Sequence, residues 1–309
     1  MSAIAHAGAG APAAAPPPVR RGRRFVPYLL LTPGMLWLAI FFVVPMIFLL
    51  SQSLQTGSIE QGYSLTFHWQ TYTDAITLYW QQFLRSFIYA GLATVLALAI
   101  GYPLAYTIAF KAGRWKSFLL VLVIAPFFTS FLLRTLAWQT ILSSNGIVYS
   151  FFVKTHLLNL LQSGPYPLIT GDQLLNTPFA VIMGLTYNFL PFMVLPLFAS
   201  LDRIDIRLLE AGADLYGKPW TGFRKVTWPL SLPGVVAGTL LTFIPAAGDY
   251  INSKLLGNPN TTMIGQVIDG QFLRVRDYPT AAALSFVLMA TILVLVSVYV
   301  WRAGTEELV

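Results

Sequence analysis

The run Val26-Pro-Tyr-Leu-Leu-Leu-Thr-Pro-Gly-Met-Leu-Trp-Leu-Ala-Ile-Phe-Phe-Val-Val-Pro-Met-Ile-Phe-Leu-Leu50 contains no Asp, Glu, Lys, Arg or His. A bilayer core of about 30 Å is crossed by roughly 20 apolar helical residues, so this run is long enough to span it. Arg20, Arg21, Arg23 and Arg24 stand just before it, as in the charged region of a secretory signal. The apolar run is too long for a cleaved signal and no small-residue cleavage site follows, so it reads as an uncleaved first span. Five further segments share its character, at 84–110, 117–141, 178–200, 231–250 and 279–301. The expected fold class is therefore an all-α membrane protein with six transmembrane helices.

The rest of the composition agrees. Of 309 residues 56% are apolar and only 10% charged, and the mean hydropathy of +0.67 lies outside the range of soluble domains. The absence of cysteine excludes a disulfide framework, a thiol nucleophile and a cysteine-ligated metal. His6, His68 and His156 lie far apart, so neither a metal site nor another cofactor is expected. The net charge of +7 sits beside apolar runs, without an aromatic-basic RNA motif, and marks topology rather than nucleic-acid binding. Residues 1–24 form a basic tail that begins with an Ala, Pro and Gly-rich stretch unable to bury enough surface to offset ordering entropy. A disordered cytoplasmic tail is expected there, ahead of a membrane domain at 25–309.

Orientation follows from the basic residues. With the N-terminus inside, the cytoplasmic segments hold Arg20, Arg21, Arg23, Arg24, Lys111, Arg114, Lys116, Arg203, Arg207, Lys218, Arg224, Lys225 and Arg302, leaving six of the nineteen outside or in spans. This asymmetry places both termini in the cytoplasm. The stretch 146–162 is apolar but short and carries Lys154, His156 and Asn159, so it reads as an amphipathic helix on the outer surface. Pro33, Pro45, Pro103, Pro126, Pro191, Pro196 and Pro245 interrupt the spans, and neighbouring helices must satisfy the carbonyls they free. Such breaks suit a bundle around a pathway, and equally a bundle of kinked packing helices.

Between the fourth and fifth spans the loop 201–230 is the most polar long stretch after the tail. Ile204, Leu208, Ala211 and Leu215 recur at helical spacing, predicting an amphipathic helix that stops near Gly217 and Pro219. Its apolar stripe needs a partner, either another protein or the chain's own helix ends.

At Leu209-Glu-Ala211 the loop resembles the coupling loop of binding-protein-dependent ABC importer permeases, with its Glu-Ala-Ala, three residues, Gly, and a later apolar residue and Pro. Glu210, Ala211, Phe223, Val226 and Pro229 follow that layout, while Gly212 replaces the second Ala and Tyr216 occupies the Gly position, with Gly217 one residue late. The likeness extends over nearly the whole chain and is similar to the spermidine/putrescine permeases at Pro126–Arg134, Ile141–Gly146, Leu190–Leu197 and Gly265–Asp277. It implies the type I ABC importer permease fold in a bacterial cytoplasmic membrane. It also implies a pathway for polyamines, and a loop of two short helices, with Glu210, Ala211, Gly212, Leu215, Tyr216, Gly217, Pro219 and Phe223, that docks on an ATP-hydrolysing subunit. The implied partners are two such subunits, a second homologous permease and an extracytoplasmic solute-binding protein. The chain has no Gly-x-x-x-x-Gly-Lys-Ser/Thr loop, so it is not expected to be an enzyme, and ATP hydrolysis belongs to a separate subunit.

Ionisable groups within spans are costly and point to function. Arg134 and Asp249 both fall near the outer ends of spans, Asp249 next to Tyr250. A carboxylate flanked by aromatics suits an ammonium-bearing solute, and Trp138, Tyr187 and Asn188 are further candidates for lining the pathway. The competing reading is an Asp249–Arg134 ion pair that braces the bundle. An importer of another small solute (iron, sulfate, an amino acid) fits the loop equally, whereas a secondary transporter would need repeated spans and central charges. If the topology is right, a cysteine placed at Lys218 stays unlabelled by an impermeant thiol reagent added outside; labelling there would invert it.

Overall fold

The computed structural model describes residues 26–144, 146–156, 162, 168, 169 and 173–303, so the expectations for the tail, for residues 157–161 and for the C-terminal residues 304–309 lie outside the described residues. The chain divides into two units, one ending at Leu49 and one beginning at Leu50. The first opens with α1 (Val26–Leu38), a π-helical segment (Ala39–Val43) and the start of α2 (Val44–Ser53). Pro45 explains the wider turn: it offers no N–H to Phe41 and its ring crowds that carbonyl, and Val44 N bonds back to Ala39 O instead. Leu29, Trp37 and Phe41 are exposed, a surface tolerated only out of water.

In the second unit an antiparallel hairpin, β1 (Gln55–Ser58) and β2 (Gly62–Leu65), pairs Gln55 with Leu65. It is followed by α3 (Gln70–Phe110), α4 (Lys116–Ile124), α5 (Phe131–Leu142), α6 (Ile147–Lys154) and α7 (Pro178–Asp202). Then come α8 (Ile206–Tyr216), α9 (Pro219–Gly222), α10 (Trp228–Ala247), α11 (Ile251–Leu256), α12 (Ile264–Gly270) and α13 (Tyr278–Ala303). In α3, Ala90, Ala93, Ala97, Gly101 and Ala105 form a buried small-residue stripe at three- and four-residue spacing. That stripe lets α7 approach closely, the packing that replaces the hydrophobic effect in lipid, and α3–α7 and α7–α10 are the most extensive helix contacts. Thr177 caps α7 by accepting from Ala180 N at 3.3 Å, with Pro178 at the first helical position.

Among the described residues five helices are long and apolar enough to cross a membrane, and a sixth span results if one bent pair counts as one. The helix that carries the second span starts before residue 84: α3 is helical from Gln70, with a kink at Tyr79, because Ala75, Tyr79 and Phe83 continue one packed face through a polar stretch. The third segment, 117–141, where Pro126 was expected to interrupt the span, is two helical pieces bent by 93°. Pro126 sits in a 3-10 turn (Ala125–Phe128), and Thr129 and Ser130 are extended, so the helix ladder stops and restarts.

Beyond α10 the chain is irregular, and α3 holds it in place. Ser86 Oγ accepts from Ile264 N at 2.7 Å, capping α12 from another helix, and Arg85 Nη1 donates to Thr262 O at 2.9 Å. Ser86→Ala strands a buried N–H, so the purified protein is expected to lose about 1–3 kcal/mol of stability, read as a lower midpoint of thermal unfolding in detergent.

Candidate functional site

Two groups of residues carry the sequence expectations, and the first is the 201–230 loop. α8 stops at Gly217, whose φ of +62° is a left-handed conformation that a side chain would strain. Lys218 is extended and Pro219 starts α9, so the helix–turn–helix forms with its turn one residue after the motif position. Gly212 has its own reason: a Cβ there would lie 3.1 Å from Val226 Cγ2, so the second Ala of the motif would press on Val226. The apolar stripe divides. Ile204 packs into the chain's own core, while Leu208 and Leu215 are exposed, with Ile206 and Trp220. Leu208, Ala211, Gly212 and Leu215 form one wall of a groove of about 370 Å³ closed by Val226, Pro229 and Leu230, and Glu210 is exposed on the same helix.

Phe223 ties this loop to the bundle. Its ring meets Tyr102 edge-on at 5.7 Å and stacks on Trp220 at 5.4 Å, and the Tyr102 hydroxyl lies 2.8 Å from Ser231 Oγ. Lys116 pairs with Asp202, fastening α4 to the end of α7 where the loop begins.

The second group gathers at the far end of α10. The Arg134 guanidinium is buried, lying 5.6 Å from the Phe127 ring before the bend and 5.5 Å from Phe131 after it. Its Nε and Nη1 have no hydrogen-bond partner among the described residues. Asn188, also buried, donates from Nδ2 to Thr135 Oγ1 at 3.3 Å and to Asn252 Oδ1 at 3.0 Å. Asp249 Oδ1 accepts from Asn252 N at 2.8 Å, closing the start of α11. The Trp138 and Tyr187 rings meet at 5.5 Å, and Tyr250 is partly exposed.

The Asp249–Arg134 brace does not form. Among the described residues the ion pairs within 4.0 Å are Lys116–Asp202 and Lys254–Asp269, and the Asp249 carboxylate is used on the backbone where α10 ends. Thr135, Gln139 and Asn252 complete this seam, Gln139 Nε2 donating to Leu255 O at 2.5 Å. A sequence reading passes over them, and the signal for Asn252 was the polar run Asn252-Ser253-Lys254 shortly after Gly248-Asp249. Chemically the seam offers amide, hydroxyl and carboxylate oxygens to a cation, and it pairs no nucleophile with a base.

Known proteins resemble this chain over most of its length. The spermidine/putrescine transport system permease protein PotB of Haemophilus influenzae is 35% identical over 269 residues, covering 87% of this chain and 90% of the relative. PotB of Escherichia coli is likewise 35% identical, covering 87% and 94%. The chain belongs to the ABC transporter permease family. A second Escherichia coli member, the inner membrane ABC transporter permease protein YdcU, is 32% identical over 227 residues, 72% of each chain. No family model matches the sequence. The permease fold recurs in the crystal structure of a bacterial ABC transporter involved in the import of the acidic polysaccharide alginate, with a TM-score of 0.61, 21% identity and coverage of 91% of this chain and 96% of the other. A second structure, of the alginate transporter in complex with an alginate pentasaccharide-bound periplasmic protein, gives the same TM-score at 19% identity, covering 92% and 96%. ABC permeases are transporter subunits, not enzymes, and this one is a multi-pass membrane protein.

Because Asp249 and Arg134 do not pair in this permease, the stability losses of Asp249→Asn and Arg134→Gln are expected to add within about 0.5 kcal/mol in a double-mutant cycle. Recovery of stability in the double variant would restore the brace.

Proposed function

We propose that this chain is the subunit through which an ATP-driven importer passes polyamines, spermidine or putrescine, across the bacterial inner membrane. The observation that carries this reading is the 35% identity to spermidine/putrescine permeases over most of both chains. Thirteen of the nineteen basic residues favour an orientation with both termini and the 201–230 loop in the cytoplasm. There the exposed face of Leu208 and Leu215, with Glu210 and Ala211, docks on an ATP-hydrolysing subunit. The Phe223 contacts then pass its movement to α3 and α10. Two ATPase copies, a second homologous permease and an extracytoplasmic binding protein complete the complex. At the outer end, Trp138, Tyr187 and Tyr250 supply aromatic faces and Asn188 and Asp249 oxygens, all suited to ammonium groups. Arg134 stands beside this end as an unpaired cation, which discourages a positively charged solute from resting there.

The test is to purify the complex and ask which solutes, presented by the binding protein, stimulate its ATPase. Spermidine and putrescine are expected to stimulate; stimulation by sulfate, iron or an amino acid instead would overturn the solute and leave the permease role standing. In the same assay Glu210→Ala or Ala211→Trp is expected to reduce stimulated hydrolysis about tenfold, the effect of losing roughly 1.4 kcal/mol of docking energy. Transport lost while assembly and coupled hydrolysis stay intact would remove the loop from this role.

A further inference from the structure

We propose that Asp269 and Tyr250 form a seat for a terminal ammonium group of the solute, and that in this conformation the seat is filled by the chain's own Lys254. The inference rests on the cationic-solute reading above. Lys254 on α11 places Nζ 2.8 Å from Asp269 Oδ2 on α12 and 5.7 Å from the centroid of the Tyr250 ring. A carboxylate and an aromatic face are the two groups that stabilise an alkylammonium ion. The lysine side chain is a primary ammonium on a four-carbon stem, and putrescine is that same fragment with an ammonium at each end. Lys254 is thus a tethered copy of half the solute.

The pair is not needed to hold the two helices together. Ser253 Oγ lies 2.7 Å from Gln266 Oε1 and accepts from Met263 N at 3.0 Å, so α11 and α12 are already joined one residue away. Ser253 is buried, whereas the Lys254 side chain is 35% exposed and that of Asp269 14%. The pair is open to water on its lysine side, and partly exposed ion pairs of this kind are weak enough to exchange. Tyr250 directly follows Asp249, so the seat adjoins the polar seam at the end of α10. An arriving ammonium group that takes Asp269 from Lys254 enters the permease there, and in the absence of solute Lys254 closes the seat.

The test measures initial uptake of radiolabelled putrescine by proteoliposomes holding the whole complex, as the loaded binding protein is titrated. Lys254→Gln removes the competitor, and the concentration for half-maximal uptake is expected to fall about two- to fivefold, the range set by one exposed ion pair. Asp269→Asn is expected to raise it at least as much, Asp269→Glu to stay near the unmodified protein, and the double variant Lys254→Gln, Asp269→Asn to follow Asp269→Asn. A brace gives another pattern: both single variants lose uptake and the double variant recovers it. Parallel losses, no gain in Lys254→Gln, or failure of Lys254→Gln to assemble each overturns the proposal. If the unmodified complex takes up neither putrescine nor spermidine, it is the solute reading that fails.

Discussion

Hydrocarbon supplies no hydrogen bonds, so every peptide group that leaves a helix ladder within a membrane has to be met by another part of the chain. The segment between α10 and α13, which joins the last two spans, meets the same demand wherever it is buried, because it contains two short helices and several non-helical turns. Four side chains from three other elements meet it: Ser86 and Arg85 from α3, Gln139 from α5, and Tyr63 of β2, whose hydroxyl donates to Arg276 O at 2.6 Å. Within the segment Asp249 closes α11, and Asn258 and Thr261 cap one another. The polar seam is thus first a solution to a solvation problem. A set of oxygens suited to cations is left where the ladder is open, which is where a pathway has use for them.

The opposite end solves a different problem, that of joining a polar loop to an apolar bundle. Aromatic rings do most of it. Tyr102, Trp228 and Phe223 pack as a block whose polar atoms stay satisfied through Ser231, as buried tyrosines usually require. Rings have few torsions to reorganise, so a displacement of α9 is passed on rather than absorbed.

The spans were legible because length and apolarity alone decide them, and the loop because Ile204, Leu208, Ala211 and Leu215 keep one helical period. What hydropathy could not locate was where a helix breaks or continues. The segment 117–141 is apolar on both sides of its bend, and Pro126 was the only local sign of it. α3 runs on through Asp74, Gln81 and Gln82, which lower the local hydropathy while Ala75, Tyr79 and Phe83 keep the packing face. The individual residues at the far end of α10, Arg134, Asn188 and Asp249, were legible as buried polar groups in apolar runs. Their partners were not. Asn188 finds Asn252 across 64 positions of sequence, and Lys254 finds Asp269 only because two short helices fold back on each other.

No flexible linker separates α9 from α10, since the π segment Phe223–Thr227 carries the helix on. The resulting apolar rod, Pro219–Ala247, has 29 residues, a length of about 43 Å at 1.5 Å per residue. Near its middle Gly234 rests against α7, where a Cβ would come within 2.5 Å of Ser200 Cβ and 2.7 Å of Pro196 O, so the two helices are in close contact there. Such a contact makes a fulcrum. A tilt of about 8° about it would swing each tip by about 3 Å in opposite directions, which is the length of the bond between Asp249 and Asn252 N. Pressing on the loop and prising open the seam at the far side are, for a stiff beam pivoted at Gly234, the same movement seen from its two ends.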